Sequence, residues 1–113
     1  MSLDCDTPLE TKHNVDATLR QRGERYGDFS DHSRLAQGLQ DLMRNYEKTV
    51  YSFDGEVGTA VKPWDNLDPV KKQALTVIAD KIARILSGDP NYDDNWHDIQ
   101  GYAKLVEERL DAD

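Results

Sequence analysis

One stretch constrains this chain more than any other. Asp68-Pro69 opens it, Gly88-Asp89-Pro90 closes it, and apolar residues dominate between them. Asp is a favoured helix N-cap, and Pro in the first turn loses nothing, because the N–H it lacks would have had no partner there. Gly ends helices readily, and the residue before a Pro is pushed out of the helical region. The bracket predicts a helix from 69 to 87. Within it Leu75, Ile78, Ile82 and Ile85 recur at spacings of three, four and three, the period of one helical face. Ala74, Val77, Ala79, Ala83 and Leu86 carry apolar character further round. Such a helix belongs at the centre of a fold, covered on more than one side.

The rest of the chain reads around it. After the short turn, Asp93 or Asp94 starts a last helix through Leu110, with Trp96, Ile99, Tyr102, Val106 and Leu110 as its core stripe. So short a connection makes the last two helices an antiparallel hairpin. Upstream, a mostly polar helix from Val15 to Tyr26 ends at Gly27. Asp28 or Ser30 then caps a second helix, Asp31 to about Val50, whose stripe is Leu35, Leu39, Leu42, Tyr46 and Val50. Residues 51–67 break the helical period with two glycines and Pro63, and their short alternation from Val57 to Val61 suits at most a small hairpin. The expected fold is all-α: a four-helix bundle with a tight antiparallel hairpin of the last two helices and one long loop, 51–67. Residues 1–12 read as a loosely attached arm and 13–113 as a single domain. The central helix carries more apolar surface than three short neighbours cover, so a homo-oligomer is expected.

Charge and cysteine content narrow the function classes. The chain has 113 residues, with Lys+Arg 14 and Asp+Glu 22, a formal net charge of −8. Nucleic-acid backbones are bound by clustered cations, so direct nucleic-acid binding is not expected. No apolar run nears the roughly 18–20 residues of a membrane span, and no basic start with an apolar stretch marks a secretory signal. The single Cys5 makes no intrachain disulfide, and a reducing, cytoplasmic setting is the default. Cys5 with His13 supplies only two of the four ligands zinc needs. His13, His32 and His97 read as surface or capping residues, and Trp64 and Trp96 as core or interface anchors.

Some polar residues do not suit a plain surface. Asp80, Lys81 and Arg84 interrupt the central helix within one arc, and Asp94, Asp98, Gly101 and Leu105 form a second stripe on the last helix. In the antiparallel hairpin, residue 84 falls level with about 97 and 81 with about 100. Lys81 and Arg84 then reach the height of Asp98. One reading is an interhelical ion pair that fixes the hairpin register. The other is a site in which carboxylates hold Mg²⁺ and the cations meet phosphate oxygens. Gly101 sits mid-helix, where it costs about 1 kcal/mol relative to Ala, which suggests a close approach by a backbone or ligand. Arg22, Arg25, Tyr26 and Asp28 crowd the first turn, either as a simple helix end or pointing into the same cleft.

Three segments together are recognisable: Arg22-Gly23-Glu24-Arg25-Tyr26-Gly27-Asp28-Phe29; Lys81-Ile82-Ala83-Arg84-Ile85-Leu86 with Gly88-Asp89-Pro90; and Asp94-Asn95-Trp96-His97-Asp98-Ile99-Gln100-Gly101-Tyr102-Ala103. They resemble a family of small bacteriophage and prophage proteins. More distantly they are similar to phage nucleotide-modification-associated domains and the MazG-like all-α nucleoside triphosphate pyrophosphatases. That resemblance implies a nucleotide ligand, Mg²⁺, and attack by water releasing pyrophosphate. Asp94 and Asp98, with Asp80, stand where metal ligands are implied, Asp98 also as the catalytic residue; Lys81, Arg84, Arg25 and Tyr26 stand where the phosphate and nucleotide are held. The pyrophosphatases' Glu-x-x-Glu pair on the preceding helix is not matched, since Asp80 stands there beside Lys81 and Arg84. The implied function is binding of a nucleotide or phosphorylated ligand, extending to a divergent Mg²⁺-dependent pyrophosphohydrolase. The alternative class is a non-catalytic acidic interaction module, with loop 51–67 as its contact surface for a host or phage protein.

Overall fold

The computed structural model describes residues 15–23 and 27–110. Helix α1 covers 15–23, α2 Phe29–Asn45, α3 Pro69–Ser87 and α4 Asp93–Leu110. Between α2 and α3 lie two strands, β1 Lys48–Tyr51 and β2 Gly58–Val61, and a 3-10 turn over Pro63–Asn66. The expected arm, 1–12, lies outside the described residues.

The helix boundaries follow from their caps. Asp28 opens α2: its carboxylate accepts from the Ser30 N–H at 3.2 Å and the Ser30 hydroxyl at 2.6 Å. Those bonds hold its carboxyl below the usual range, the hydroxyl bond foremost. Asp68 opens α3 by accepting from the Lys71 N–H at 2.9 Å, and the Lys71 ammonium closes on the same carboxylate at 2.8 Å. Gly88 ends α3, its N–H bonding to the Arg84 carbonyl.

The all-α expectation is corrected in one region. α2 stops at Asn45 rather than running to Val50, and Lys48–Tyr51 pairs antiparallel with Gly58–Val61. Thr49, Val50 and Tyr51 are strand-favouring residues, and Gly55 turns the chain with a positive φ of 80°. Ser52 ties the loop by hydrogen-bonding Asp54 and the Val57 N–H. Seven of the eight strand residues are exposed, only Val61 being half-buried, so the hairpin projects rather than packing.

The helices make a layer. α3 lies in the middle, antiparallel to α2 on one side and to α4 on the other, while α2 and α4 meet each other at most marginally. The tightest seams are lined by small residues: Ala36 on α2 and Ala74, Ala79 and Ala83 on α3 are buried, with Ile85 the one large apolar residue among them. Alanines let helix backbones approach closely. The apolar stripes therefore fall elsewhere than expected. On α2 the face against α3 is His32, Ala36 and Gln40, leaving Leu42 and Tyr46 exposed; on α3 Leu75 and Ile82 are exposed. On α4 Asn95 is fully buried while Trp96 is half exposed, its indole N–H donating to the Pro90 carbonyl at 2.8 Å. No helix among the described residues is long and apolar enough to cross a membrane.

Candidate functional site

Asp80 organises the polar side of α3. Its Oδ1 lies 2.7 Å from His32 Nε2 on α2, and its Oδ2 accepts from Arg84 Nε at 3.0 Å, one helical turn on. A carboxylate bridging an imidazole and a guanidinium fixes the orientation of both groups. His32 is buried, contrary to the surface or capping role expected for it, because Asp80 supplies the polar partner that an interior imidazole requires. His97 is exposed, and His13 lies outside the described residues.

Lys81 turns the other way. Its ammonium lies 2.9 Å from Asp98 Oδ2 on α4, so the ion pair expected across the hairpin forms with Lys81. The Lys81 hydrogen bond, and after it the Lys81 charge, holds the Asp98 carboxyl below the usual range. Asp94 accepts from the Tyr92 hydroxyl at 2.7 Å.

A cleft of about 550 Å³ opens between α1, α2 and α3. Leu19, Arg22 and Gly23 come from α1, Phe29 and His32 from α2, and Arg84 from α3; Gly27 and Asp28 form the connecting turn. Phe29 meets the His32 ring edge-to-face, centroids 6.1 Å apart. The turn is set by Gly27, whose N–H bonds to the Gly23 carbonyl at 2.8 Å and whose φ is +81°. A Cβ at Gly27 would run into the Ser87 carbonyl at the end of α3. Only glycine satisfies both the left-handed backbone and that approach.

The predicted site residues thus divide. Arg84 lines the cleft and Asp80 stands behind it, bound to both Arg84 and His32; Lys81 and Asp98 pair across the α3–α4 seam; Asp94 stands in the first turn of α4. At about 100° per residue, Asp94 and Asp98 project to the side of the layer on which Arg84 lies, one seam away from the cleft. Arg25 and Tyr26 lie outside the described residues, between Gly23 and Gly27, which both line the cleft. Asp80 serves His32 and Arg84, Asp98 serves Lys81, and among the described residues no three His, Cys, Asp or Glu side chains gather. Gly101 has nothing near the position of a Cβ, so no backbone approaches it.

Sequence reasoning passed over His32 and Phe29. Their sequence signal is slight: Phe29 directly follows the Asp28 cap and His32 stands one turn after it, while the partner that buries His32 is 48 positions away. No protein-family model matches this chain, nor does any curated protein or solved structure.

Proposed function

We propose that the cleft between α1, α2 and α3 binds a small phosphorylated ligand of nucleotide size. The observation that carries this reading is the lining: two arginines, Arg22 and Arg84, and a buried histidine beside apolar Leu19 and Phe29, in a volume of about 550 Å³. Ligand pockets run from roughly 300 to 1,000 Å³ and pair apolar walls with a few placed polar groups. Guanidinium forks match phosphate oxygens in a way a point charge does not. Arg84 arrives oriented, because Asp80 holds its Nε and His32 holds Asp80. Phe29 offers an exposed ring at the mouth, against which a base or other flat group stacks. Arg25 and Tyr26 join this reading by their place in the sequence between two cleft-lining glycines.

The resemblance to the pyrophosphatases adds hydrolysis with Mg²⁺ at Asp94, Asp98 and Asp80. The carboxylates as arranged, paired with Lys81, Arg84 and His32, support binding better than that chemistry. Calorimetric titration of the full chain with nucleoside mono-, di- and triphosphates tests the proposal, with Arg84→Gln as the control. Binding that Arg84→Gln weakens at least tenfold is the expected result; no binding by any phosphorylated compound overturns it. Pyrophosphate release that needs Mg²⁺ and vanishes in Asp98→Asn would establish the hydrolase extension.

One observation favours the interaction-module reading. Tyr51, Phe53 and Val57, on and around the tip of the β1–β2 hairpin, are largely exposed, inside the loop expected to be a contact surface. Deleting 52–57 separates the two readings, since it spares the phosphate cleft.

A further inference from the structure

The helical layer has two unlike sides. Lys81, Arg84 and Asp98 mark one of them. On the other, the helical period brings together Leu42 and Tyr46 of α2, Leu75, Ile82 and Leu86 of α3, and Trp96 of α4. Leu42, Tyr46 and Leu75 line one groove, which establishes that the α2 and α3 residues share a side. These six large side chains are between 37% and 69% exposed. An amphipathic layer whose apolar side lies open is half of a two-layer fold.

We infer that this side is covered by a second copy of the same chain, related by a twofold axis. Three observations favour a copy over a different partner. First, among the described residues the buried apolar ones are four alanines and one isoleucine, so the protomer alone buries few large side chains for its length. Second, the six side chains expose on the order of 600–700 Å² together, close to the roughly 800 Å² per partner of a stable interface. Third, the α3 arc that carries Leu75, Ile82 and Leu86 holds no carboxylate, and its one flanking cation, Lys71, is paired with Asp68. Along α3, over which the axis lies, two copies of a chain with net charge −8 therefore meet without setting carboxylates against each other. The interface is isologous: the same patch serves both partners, so the contact closes at two. The axis lies over α3, and the phosphate cleft faces away from it, so the dimer carries two independent clefts.

Sedimentation velocity on the unaltered full chain, from about 1 to 100 µM, is the first test, and a dimer mass is expected; a monomer at every concentration overturns the inference and leaves the face for a different protein. Oxidative footprinting of the same unaltered chain then locates the contact without any variant. Leu42, Leu86 and Trp96 should lose at least threefold in labelling rate between the dilute and concentrated samples, while Phe53 at the hairpin tip stays unchanged. A dimer in which Phe53 is protected and Trp96 is not overturns the assignment of the face. Leu86→Glu should shift the mass to the monomer; if it also unfolds the chain, the footprint of the unaltered protein decides.

Discussion

Asn95 is the residue whose environment is hardest to reconcile with stability alone. It is fully buried in the first turn of α4, and neither its side-chain N nor its O has a hydrogen-bond partner. An unsatisfied buried polar group costs about 1–3 kcal/mol. Asn95→Leu should therefore raise the unfolding free energy by about 1 kcal/mol or more in urea titration; a loss of similar size would mean that the amide finds a partner in solution. Asp98 gives a pH-dependent prediction. Its folded pKa lies below the usual carboxylate value, so the Lys81 pair contributes stability above about pH 4 and loses it as the pH falls through the folded value. Because the Asp98 side chain is 41% exposed, solvent screening keeps that contribution below about 1 kcal/mol. Asp98→Asn should cost up to that amount at pH 7 and nothing near pH 2, measured as the difference between the two unfolding curves. Gly27→Ala should destabilise the fold by about 1 kcal/mol or more, from the left-handed backbone alone and more from the Ser87 carbonyl. Gly101→Ala, with open space around it, should stabilise α4 by up to about 1 kcal/mol.

Among the elements, what was legible depended on how local the signal is. The bounds of α3 were readable because Asp68-Pro69 and Gly88-Asp89-Pro90 act on their own backbone, whatever packs around them. The start of α4 at Asp93 was readable for the same reason. The hairpin was legible only in part: the short alternation from Val57 to Val61 allowed a small hairpin, but its strands are four residues each and almost wholly exposed, so nothing in the pattern marked β1 or ended α2 at Asn45. Periodicity identified Leu75 and Ile82 as sharing a face but could not say that the face stays open within one chain, since that depends on where α2 and α4 dock. The seams went instead to Ala74, Ala79 and Ala83, whose small size sequence patterns undervalue. Of the site, the Lys81–Asp98 pair followed from hairpin arithmetic across a short turn, whereas the His32–Asp80 bond joins helices separated by a long excursion through the hairpin. Ile85 tests this picture of the layer. It is the one large apolar residue buried among the described residues, and Ile85→Ala should cost about 2–5 kcal/mol in chemical denaturation, against little for the exposed Leu75 in a chain kept monomeric by dilution.

At the scale of the whole molecule, one layer of helices presents two faces with separate tasks. The proposal that a second copy covers the apolar side predicts concentration-dependent unfolding, with a midpoint temperature that rises with protein concentration in calorimetry. The polar side holds the cleft, where Asp80 orients Arg84 and buries His32 beside Phe29. A net charge of −8 opposes an anionic ligand at long range, so the proposed phosphate binding rests on local arginine contacts. The most direct test of that claim is heteronuclear NMR of the full chain titrated with a nucleoside diphosphate in magnesium-free buffer. The Arg84 side-chain Nε–H, the His32 ring and the Gly27 amide should shift together and saturate at one site. Shifts confined to Asp98 and the α4 amides, or none at all, would contradict the account.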